Sequence, residues 1–313
     1  MKNKITAVAL TVLMLFLCGC SAYAPQKKGD KLSIVCSIFA PYDFARQLAG
    51  DRAEIKMLLP TGVESHSYEP TPRDIIELRN ADIFFYVSEH TETWVTQIIE
   101  SVSDSEVNIV ELAKELGLEI NGHEHEHHHD EHEEHKEGET DEHIWTNLET
   151  ASDMIGCMAE KMGELDPENA DYYKDNASTY SAKILDLRDD IQELVNTSKR
   201  REIVSGSRFA MKNFTHEFGI EFTAAFDSCV DNTEPSASVM AEIIDKIQTD
   251  NIPVIFYEEL TEPKIARAVS VETGAEMLLL HSCHNISSDE MKRGETYLSL
   301  MRQNYYNLKE ALN

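Results

Sequence analysis

Residues 167–198 read PENADYYKDNASTYSAKILDLRDDIQELVNTS and carry a continuous helical pattern. The apolar side chains recur at three- and four-residue spacing, which is the period of one helix face. They include Ile184, Leu187, Ile191 and Leu194. Pro167 suits the first turn of a helix. The N–H groups of that turn have no partner within the helix, so proline, which has no N–H, loses no hydrogen bond there. A helix of about 30 residues spans about 45 Å, the length of a whole domain. We therefore predict a rigid linking helix over residues 166–198 that joins two lobes.

Outside this helix, short apolar and β-branched runs alternate with amphipathic stretches on both sides. Before the helix, strands are predicted at 32–39, 53–59, 83–87 and 107–110, with helices at 72–80 and 92–102. After it, strands are predicted at 202–204, 220–224, 252–256 and 276–280, with helices at 210–218, 236–249, 263–273 and from about 294. Such alternation indicates parallel sheets covered by helices. The predicted fold is α/β, with an N-terminal lobe over 32–165 and a C-terminal lobe over 199–313.

The first residues have the pattern of a secretion signal. Lys2 and Lys4 precede an apolar run that ends in Leu17-Cys-Gly-Cys20, and this run is too short to cross a bilayer. The ending resembles the lipobox of bacterial lipoproteins, in which Cys20 would receive the lipid after removal of residues 1–19. An ordinary signal cleavage near Ala22–Ala24 is the alternative. Residues 20–31 are then a polar tether, and the protein is expected to lie lipid-anchored on the extracytoplasmic face of the cell membrane.

Charge and cysteine content restrict the possible partners. A formal net charge of −29 argues against nucleic acid and against adsorption to anionic lipid, and it favours cations. Four cysteines remain beyond the signal segment: Cys36, Cys157, Cys229 and Cys283. Three pairings are possible for four cysteines. We favour Cys229 with Cys283, because both flank loops that we place near one site.

Seven of the thirteen histidines lie close together between residues 123 and 135. They are His123, His125, His127, His128, His129, His132 and His135. A segment of histidine and acid cannot build a core, so residues 121–143 are predicted to form a solvated loop that collects metal ions weakly. A passive acidic spacer is the alternative.

Other histidines lie in loops that follow predicted strands. His66 lies in Pro60-Thr-Gly-Val-Glu-Ser-His-Ser-Tyr-Glu-Pro-Thr-Pro72, His143 in Asp141-Glu-His-Ile-Trp145, and His281 in Leu280-His-Ser-Cys-His-Asn285. Ligands of open parallel sheets bind beyond the carboxyl ends of the strands. Neutral imidazole is the commonest metal ligand in proteins. These loops therefore carry the candidate metal site.

The same residues resemble a known family, the ZnuA-like zinc/manganese solute-binding lipoproteins of ABC importers. The similar motifs are Gly62–Pro72, Asp141–Trp145, Glu272–Ala275 and Thr296–Asn304. The resemblance extends over residues 32–313 and implies two α/β lobes, a long backbone helix and a metal ion in the cleft. It also implies a partner ABC permease, and the histidine-rich segment is similar to that of the zinc-importing members.

Carried over residue by residue, the resemblance implies His66 and His143 as metal ligands, with His281 at the last ligand position. At the remaining position the family usually has histidine or glutamate, whereas this chain has Arg208, whose guanidinium offers no lone pair. His216, eight residues further on, is expected on a helix surface. A water or a carboxylate such as Glu234 would complete a tetrahedral site, unless Glu234 pairs with Arg208 instead.

The leading hypothesis is a receptor without catalytic activity that binds Zn²⁺ and delivers it to an ABC importer. Mn²⁺ is possible but prefers more oxygen ligands. The alternatives are a metal-binding adhesin or sequestering lipoprotein and, because three protein ligands leave a coordination position open, a metallohydrolase.

Overall fold

A computed structural model describes residues 31–120, 141–226 and 236–313. Among these residues, none of the helices combines the length and the apolar character needed to cross a bilayer. The signal segment with Cys20, the histidines at 123–135, and both Cys229 and Glu234 lie outside the described residues.

The first lobe is a parallel sheet with the strand order β2-β1-β3-β4. Its strands are β1 (Leu32–Cys36), β2 (Ala53–Met57), β3 (Ile83–Tyr86) and β4 (Asn108–Glu111). Its helices are α1 (Phe39–Ala49), α2 (Pro72–Asn80), α3 (Val95–Ser101) and α4 (Leu112–Glu115). Every residue of β3, with the sequence IFFY, is buried. A continuous apolar run is typical of a strand covered on both faces.

Two antiparallel helices follow and connect the lobes. Helix α5 (Leu148–Leu165) begins at Asn147, whose side chain accepts a hydrogen bond from the N–H of Thr150. Helix α6 (Ala170–Thr197) has 28 residues and follows a 3₁₀ turn at Pro167–Asn169. Its buried side chains keep the predicted spacing, since a single apolar face packs against α5 and α1. The predicted backbone helix is therefore confirmed.

The second lobe repeats the arrangement with the strand order β6-β5-β7-β8. Its strands are β5 (Glu202–Ser205), β6 (Glu221–Ala224), β7 (Val254–Tyr257) and β8 (Glu276–Leu279). Its helices are α7 (Lys212–Phe218), α8 (Ala237–Asp250), α9 (Lys264–Thr273), α10 (Ser288–Arg293) and α11 (Tyr297–Leu312). The predicted class of two parallel α/β lobes is thus confirmed, while the exact lobe boundaries remain a prediction.

A buried carboxylate ties three helices of the two lobes together. Asp43 of α1 is fully buried. Its Oδ2 accepts a hydrogen bond from the Tyr180 hydroxyl of α6 at 2.9 Å and another from the backbone N–H of Tyr297 of α11 at 2.9 Å. Burying a carboxylate is unfavourable unless its oxygens are hydrogen-bonded. This contact therefore fixes the last helix of the chain against the first lobe.

Candidate metal centre

Three histidines from separate loops meet in the cleft between the lobes. His66 follows β2, His143 precedes α5, and His284 follows β8. One nitrogen from each lies within 4.8 Å of the others, and these three form a group that can hold a metal ion. A zinc–nitrogen bond is about 2.0–2.1 Å long, so a small side-chain adjustment would close the three nitrogens around one ion.

His66 is held by the turn that precedes α2. Glu64 caps the 3₁₀ turn Ser65–Ser67, and its carboxylate accepts hydrogen bonds from the backbone N–H groups of His66 at 3.1 Å and Ser67 at 3.0 Å. An acidic cap suits this position, since it satisfies N–H groups at the start of a helical turn. The cap fixes the backbone from which the His66 ring enters the cleft.

His143 is oriented by a neighbouring carboxylate. Asp141 Oδ1 lies 2.8 Å from His143 Nδ1 and also accepts the backbone N–H of His143 at 3.0 Å. An ionised carboxylate only accepts hydrogen bonds, so Nδ1 carries the proton and Nε2 keeps its lone pair. Burial acts to raise the pKa of Asp141, but His143 outweighs burial through its hydrogen bonds, and through its charge whenever the ring is protonated, and holds that pKa below its usual range. Asp141 therefore stays ionised and keeps this tautomer.

The loop that carries His284 belongs to the second lobe but is hydrogen-bonded to the first. The N–H of Phe39 donates to the carbonyl of His284 at 3.1 Å. The side-chain amide of Asn285 donates to the carbonyl of Pro60 at 2.8 Å. The indole N–H of Trp145 donates to the Ser282 carbonyl at 2.7 Å. All three histidines are therefore anchored to the first lobe.

Burial keeps two of the histidines neutral. Burial, followed by the neighbouring His143, lowers the pKa of His66 to about 4. Burial, followed by His143 and His66, also lowers the pKa of His284 well below its usual value. Within the described part of the chain, Nε2 of His284 is buried and has no hydrogen-bond partner. A neutral ring with an unused buried nitrogen fits a metal ligand.

The structure places His284, and not the predicted His281, in this group. His281 is also buried, but its Nδ1 accepts the N–H of Cys283 at 2.9 Å and lies 3.6 Å from Glu259 Oε1. Its Nε2 faces Glu290, 4.0 Å from Oε1. Cys283 adopts a positive φ of 60°, which turns the chain between the two histidines. The His-Ser-Cys-His sequence showed both candidates and gave no sign of which one the turn directs into the cleft.

Other predicted residues have different surroundings. Arg208 Nη1 lies 3.8 Å from Glu64 Oε1, so Glu64 is one partner of Arg208, whereas Glu234 lies outside the described residues. Cys283 is a free, fully buried thiol. Its predicted partner Cys229 lies outside the described residues, so the Cys229–Cys283 disulfide stays a prediction.

A small cavity opens beside His66 and His284. It has a volume of about 40 Å³ and is lined by residues from both lobes, among them Ser65, His66, Arg208, Glu258 and His284. Burial raises the pKa of Glu258 to about 8, and the neighbouring Glu259 contributes to the same shift. No sequence motif places Glu258 at the cleft, because its approach depends on how the lobes pack.

Two parallel α/β lobes, a long connecting helix and a buried histidine group in the cleft define a metal-binding solute-binding protein. The chain belongs to the ZnuA family, described as the periplasmic component A of the zinc-uptake complex, whose sequence model matches residues 34–311. The family resemblance seen in the sequence is thereby confirmed.

The relatives of this chain are described as zinc proteins. The high-affinity zinc uptake system protein ZnuA of Bacillus subtilis is 31% identical over 308 residues, which cover 97% of this chain and 96% of that protein. The zinc-binding lipoprotein AdcA of Streptococcus pneumoniae is 28% identical over 310 residues. That match covers 99% of this chain but only 61% of AdcA.

Solved structures have the same fold. The Zn(II)-bound ZnuA-like domain of Streptococcus pneumoniae AdcA aligns with a TM-score of 0.73 at 25% identity, over 90% of this chain and 99% of that one. The laminin-binding protein Lmb of Streptococcus agalactiae, described as bifunctional with adhesin and metal-transporting activity, aligns with a TM-score of 0.75 at 25% identity, over 90% of this chain and 100% of that one.

Proposed function

We propose that this protein binds Zn²⁺ outside the cytoplasm and delivers it to the permease of an ABC importer. The observation that carries the proposal is the convergence of His66, His143 and His284 within 4.8 Å. Imidazole nitrogen suits zinc, whereas manganese favours oxygen ligands. Family membership and the Zn(II)-bound relative support the same metal.

The protein acts as a carrier and not as an enzyme in this proposal. A carrier needs ligands that hold the ion, whereas a zinc hydrolase needs a bound water with a general base beside it. Membership in a family of solute-binding proteins supports the carrier.

The location is also part of the proposal. Cys20 carries a lipid that holds the protein at the outer face of the cell membrane, close to its permease. The lipobox-like sequence Leu17-Cys-Gly-Cys20 and the description of AdcA as a lipoprotein support this anchor. In the same proposal the histidine-rich segment 123–135 collects zinc weakly near the cleft.

Zinc titration in competition with a chelator tests the site. His66→Ala and His143→Ala are expected to abolish tight binding, because each removes one of three nitrogen ligands. His216→Ala is the matched control, since His216 is exposed on α7 and is not a member of the group. Unchanged affinity in both cleft variants would refute the proposal.

Growth under zinc limitation tests delivery. Deleting the gene from the producing bacterium is expected to impair growth in zinc-poor medium. The wild-type gene should restore growth, and the His66→Ala gene should not. Equal restoration by both genes would separate any growth role from zinc binding at this site.

The likeness to Lmb supports a second candidate function, surface adhesion. Binding of the purified protein to immobilised laminin tests it. Saturable binding that survives in His66→Ala would establish adhesion as independent of zinc transport, and absence of binding would exclude laminin as a ligand.

A further inference from the structure

The turn that carries His143 is held from both lobes. In the first lobe, the hydroxyl of Thr91 donates to the carbonyl of Glu142 at 3.0 Å. In the second lobe, the side-chain amide of Asn213 donates to the carbonyl of Asp141 at 2.9 Å. The two carbonyls directly before the ligand are therefore fixed by donors from different lobes.

A second contact from the same helix holds the far end of this segment, residues 141–148. Glu217 lies four residues after Asn213 on α7, and residues at this spacing share one helix face. Its side chain is 4% exposed, and its Oε2 accepts the backbone N–H of Leu148, the first residue of α5, at 2.7 Å. The first N–H groups of a helix have no partner within it, and negative charge is favourable there.

The carboxylate of Glu217 is itself fixed from a third helix. Arg188 of α6 donates from Nε to Glu217 Oε1 at 2.9 Å. Within the segment, the carbonyl of Trp145 accepts the hydroxyl of Tyr297 of α11 at 2.6 Å. Segment 141–148 is thus bound at both ends by one face of α7 and in its middle by α11.

These contacts bear on the ligand through Asp141. Its carbonyl accepts the amide of Asn213, and its carboxylate accepts Nδ1–H of His143. A shift of the Asp141 backbone therefore moves the group that sets the direction of the His143 ring. Zinc–nitrogen bonds of about 2.0–2.1 Å leave little tolerance for such a shift.

We propose that Asn213 and Glu217 are positioning residues for the metal site, through which α7 of the second lobe holds His143 in the geometry that binds the ion. This inference rests on the proposed zinc-binding function and deepens it. Neither residue touches the ion, and both act through segment 141–148.

Zinc titration against a chelator, with purified full-length protein, tests the role of Asn213. Asn213→Leu keeps the branched shape of the side chain and removes the donor. Zinc affinity is expected to fall about tenfold, the lower end of the effect of groups that orient a ligating histidine. Asn176→Leu is the matched control. Asn176 is also half-buried, and its amide donates to the carbonyl of Leu48 at the same distance of 2.9 Å, between α6 and α1. Its loss should leave zinc affinity unchanged.

Glu217 allows a test by conservative replacement. Glu217→Ala removes the acceptor for the N–H of Leu148, so zinc affinity is expected to fall by a similar factor. Glu217→Gln keeps an acceptor oxygen at the same position and should restore most of that affinity. Equal affinities in Glu217→Ala and the wild type would exclude Glu217 from the role.

Nuclear magnetic resonance of metal-free protein with ¹⁵N-labelled histidine separates positioning from general stability. The Nδ1–H signal of His143 is identified by its absence in His143→Ala. Asn213→Leu should shift or broaden this signal, because the hydrogen bond to Asp141 is no longer held in one geometry. Asn176→Leu should leave the signal in place, even where thermal unfolding shows an equal loss of stability.

Two results would overturn the inference while leaving the proposed function standing. One is unchanged zinc affinity in Asn213→Leu, and the other is an equal loss of affinity in Asn213→Leu and Asn176→Leu. Failure of the wild type to bind zinc would contradict both proposals.

Discussion

Asp141 Oδ1 and His143 Nδ1 lie 2.8 Å apart, and this hydrogen bond directs the other ring nitrogen of His143 into the cleft. Outer carboxylates of this kind set the tautomer and orientation of a ligating histidine and raise its basicity. The Asp-x-His spacing places both groups in one short turn. The turn thus provides a ligand together with the group that orients it.

Replacing Asp141 is therefore expected to weaken zinc binding without removing a ligand. Asp141→Asn keeps the size of the side chain but loses the charge, and we expect zinc affinity to fall by about 10- to 100-fold. Competition with a chelator measures this. Asp186→Asn, at an exposed site on α6, is the matched control, and equal affinities in the two variants would refute the orienting role.

The two histidines of the last loop should respond differently to substitution. His284→Ala removes a ligand and should abolish tight zinc binding. His281→Ala should keep zinc stoichiometry but leave the buried N–H of Cys283 without its acceptor, which costs about 1–3 kcal/mol of unfolding free energy. Calorimetric titration and thermal unfolding separate the two effects. Loss of tight binding only in His281→Ala would restore the assignment made from sequence.

The lobes and the long helix could be predicted because their signals are local. Buried strands such as Ile83–Tyr86 are continuous apolar runs, and α6 shows its buried face as a repeat of Ile184, Leu187 and Ile191. His66 and His143 could be predicted for a related reason, since each lies in a short motif in a loop that leads into the cleft.

The rest of the site depends on tertiary structure. The choice between His281 and His284 follows from the backbone at Cys283, in an irregular loop with no periodic pattern. The approach of Arg208 to Glu64 joins two lobes far apart in sequence. No spacing rule encodes such contacts, because they depend on how the lobes pack.

Zinc binding should persist to unusually low pH. The pKa of His66 is about 4 and that of His284 is lowered well below its usual value. Protons compete with a metal only below the pKa of the ligand. Protonation of His66 and His284 should therefore cost little zinc affinity from neutral pH down to about pH 5, below the ordinary histidine value of about 6.5. A chelator titration across this range measures it, and a steep loss beginning near the ordinary value would contradict it.

The metal-free protein should lose stability as the pH falls from about 6.5 towards 4. Because the folded-state pKa of His66, about 4, lies below the unfolded value of about 6.5, the unfolded chain binds more protons between these values. Stability from this group is therefore fully present above the unfolded pKa and falls as the pH drops towards 4. Thermal unfolding of metal-free protein measures the decline. His66→Gln should show a smaller decline, and an equal one would exclude His66 as its source.

Gly206 should tolerate no side chain, although its φ angle lies outside the left-handed region that favours glycine. A Cβ at this position would lie 2.7 Å from the backbone N and Cα of Ala266 on α9 and 2.8 Å from its Cβ. Gly206→Ala therefore forces β5 and α9 apart, and overpacking of this kind costs about 1–3 kcal/mol. Gly156→Ala is the matched control, because a Cβ there meets nothing within 4 Å inside α5 and alanine favours a helix interior by about 0.5–1 kcal/mol. Denaturant unfolding should show Gly206→Ala destabilised and Gly156→Ala unchanged or stabilised, and equal midpoints would refute the close packing of Gly206 against α9.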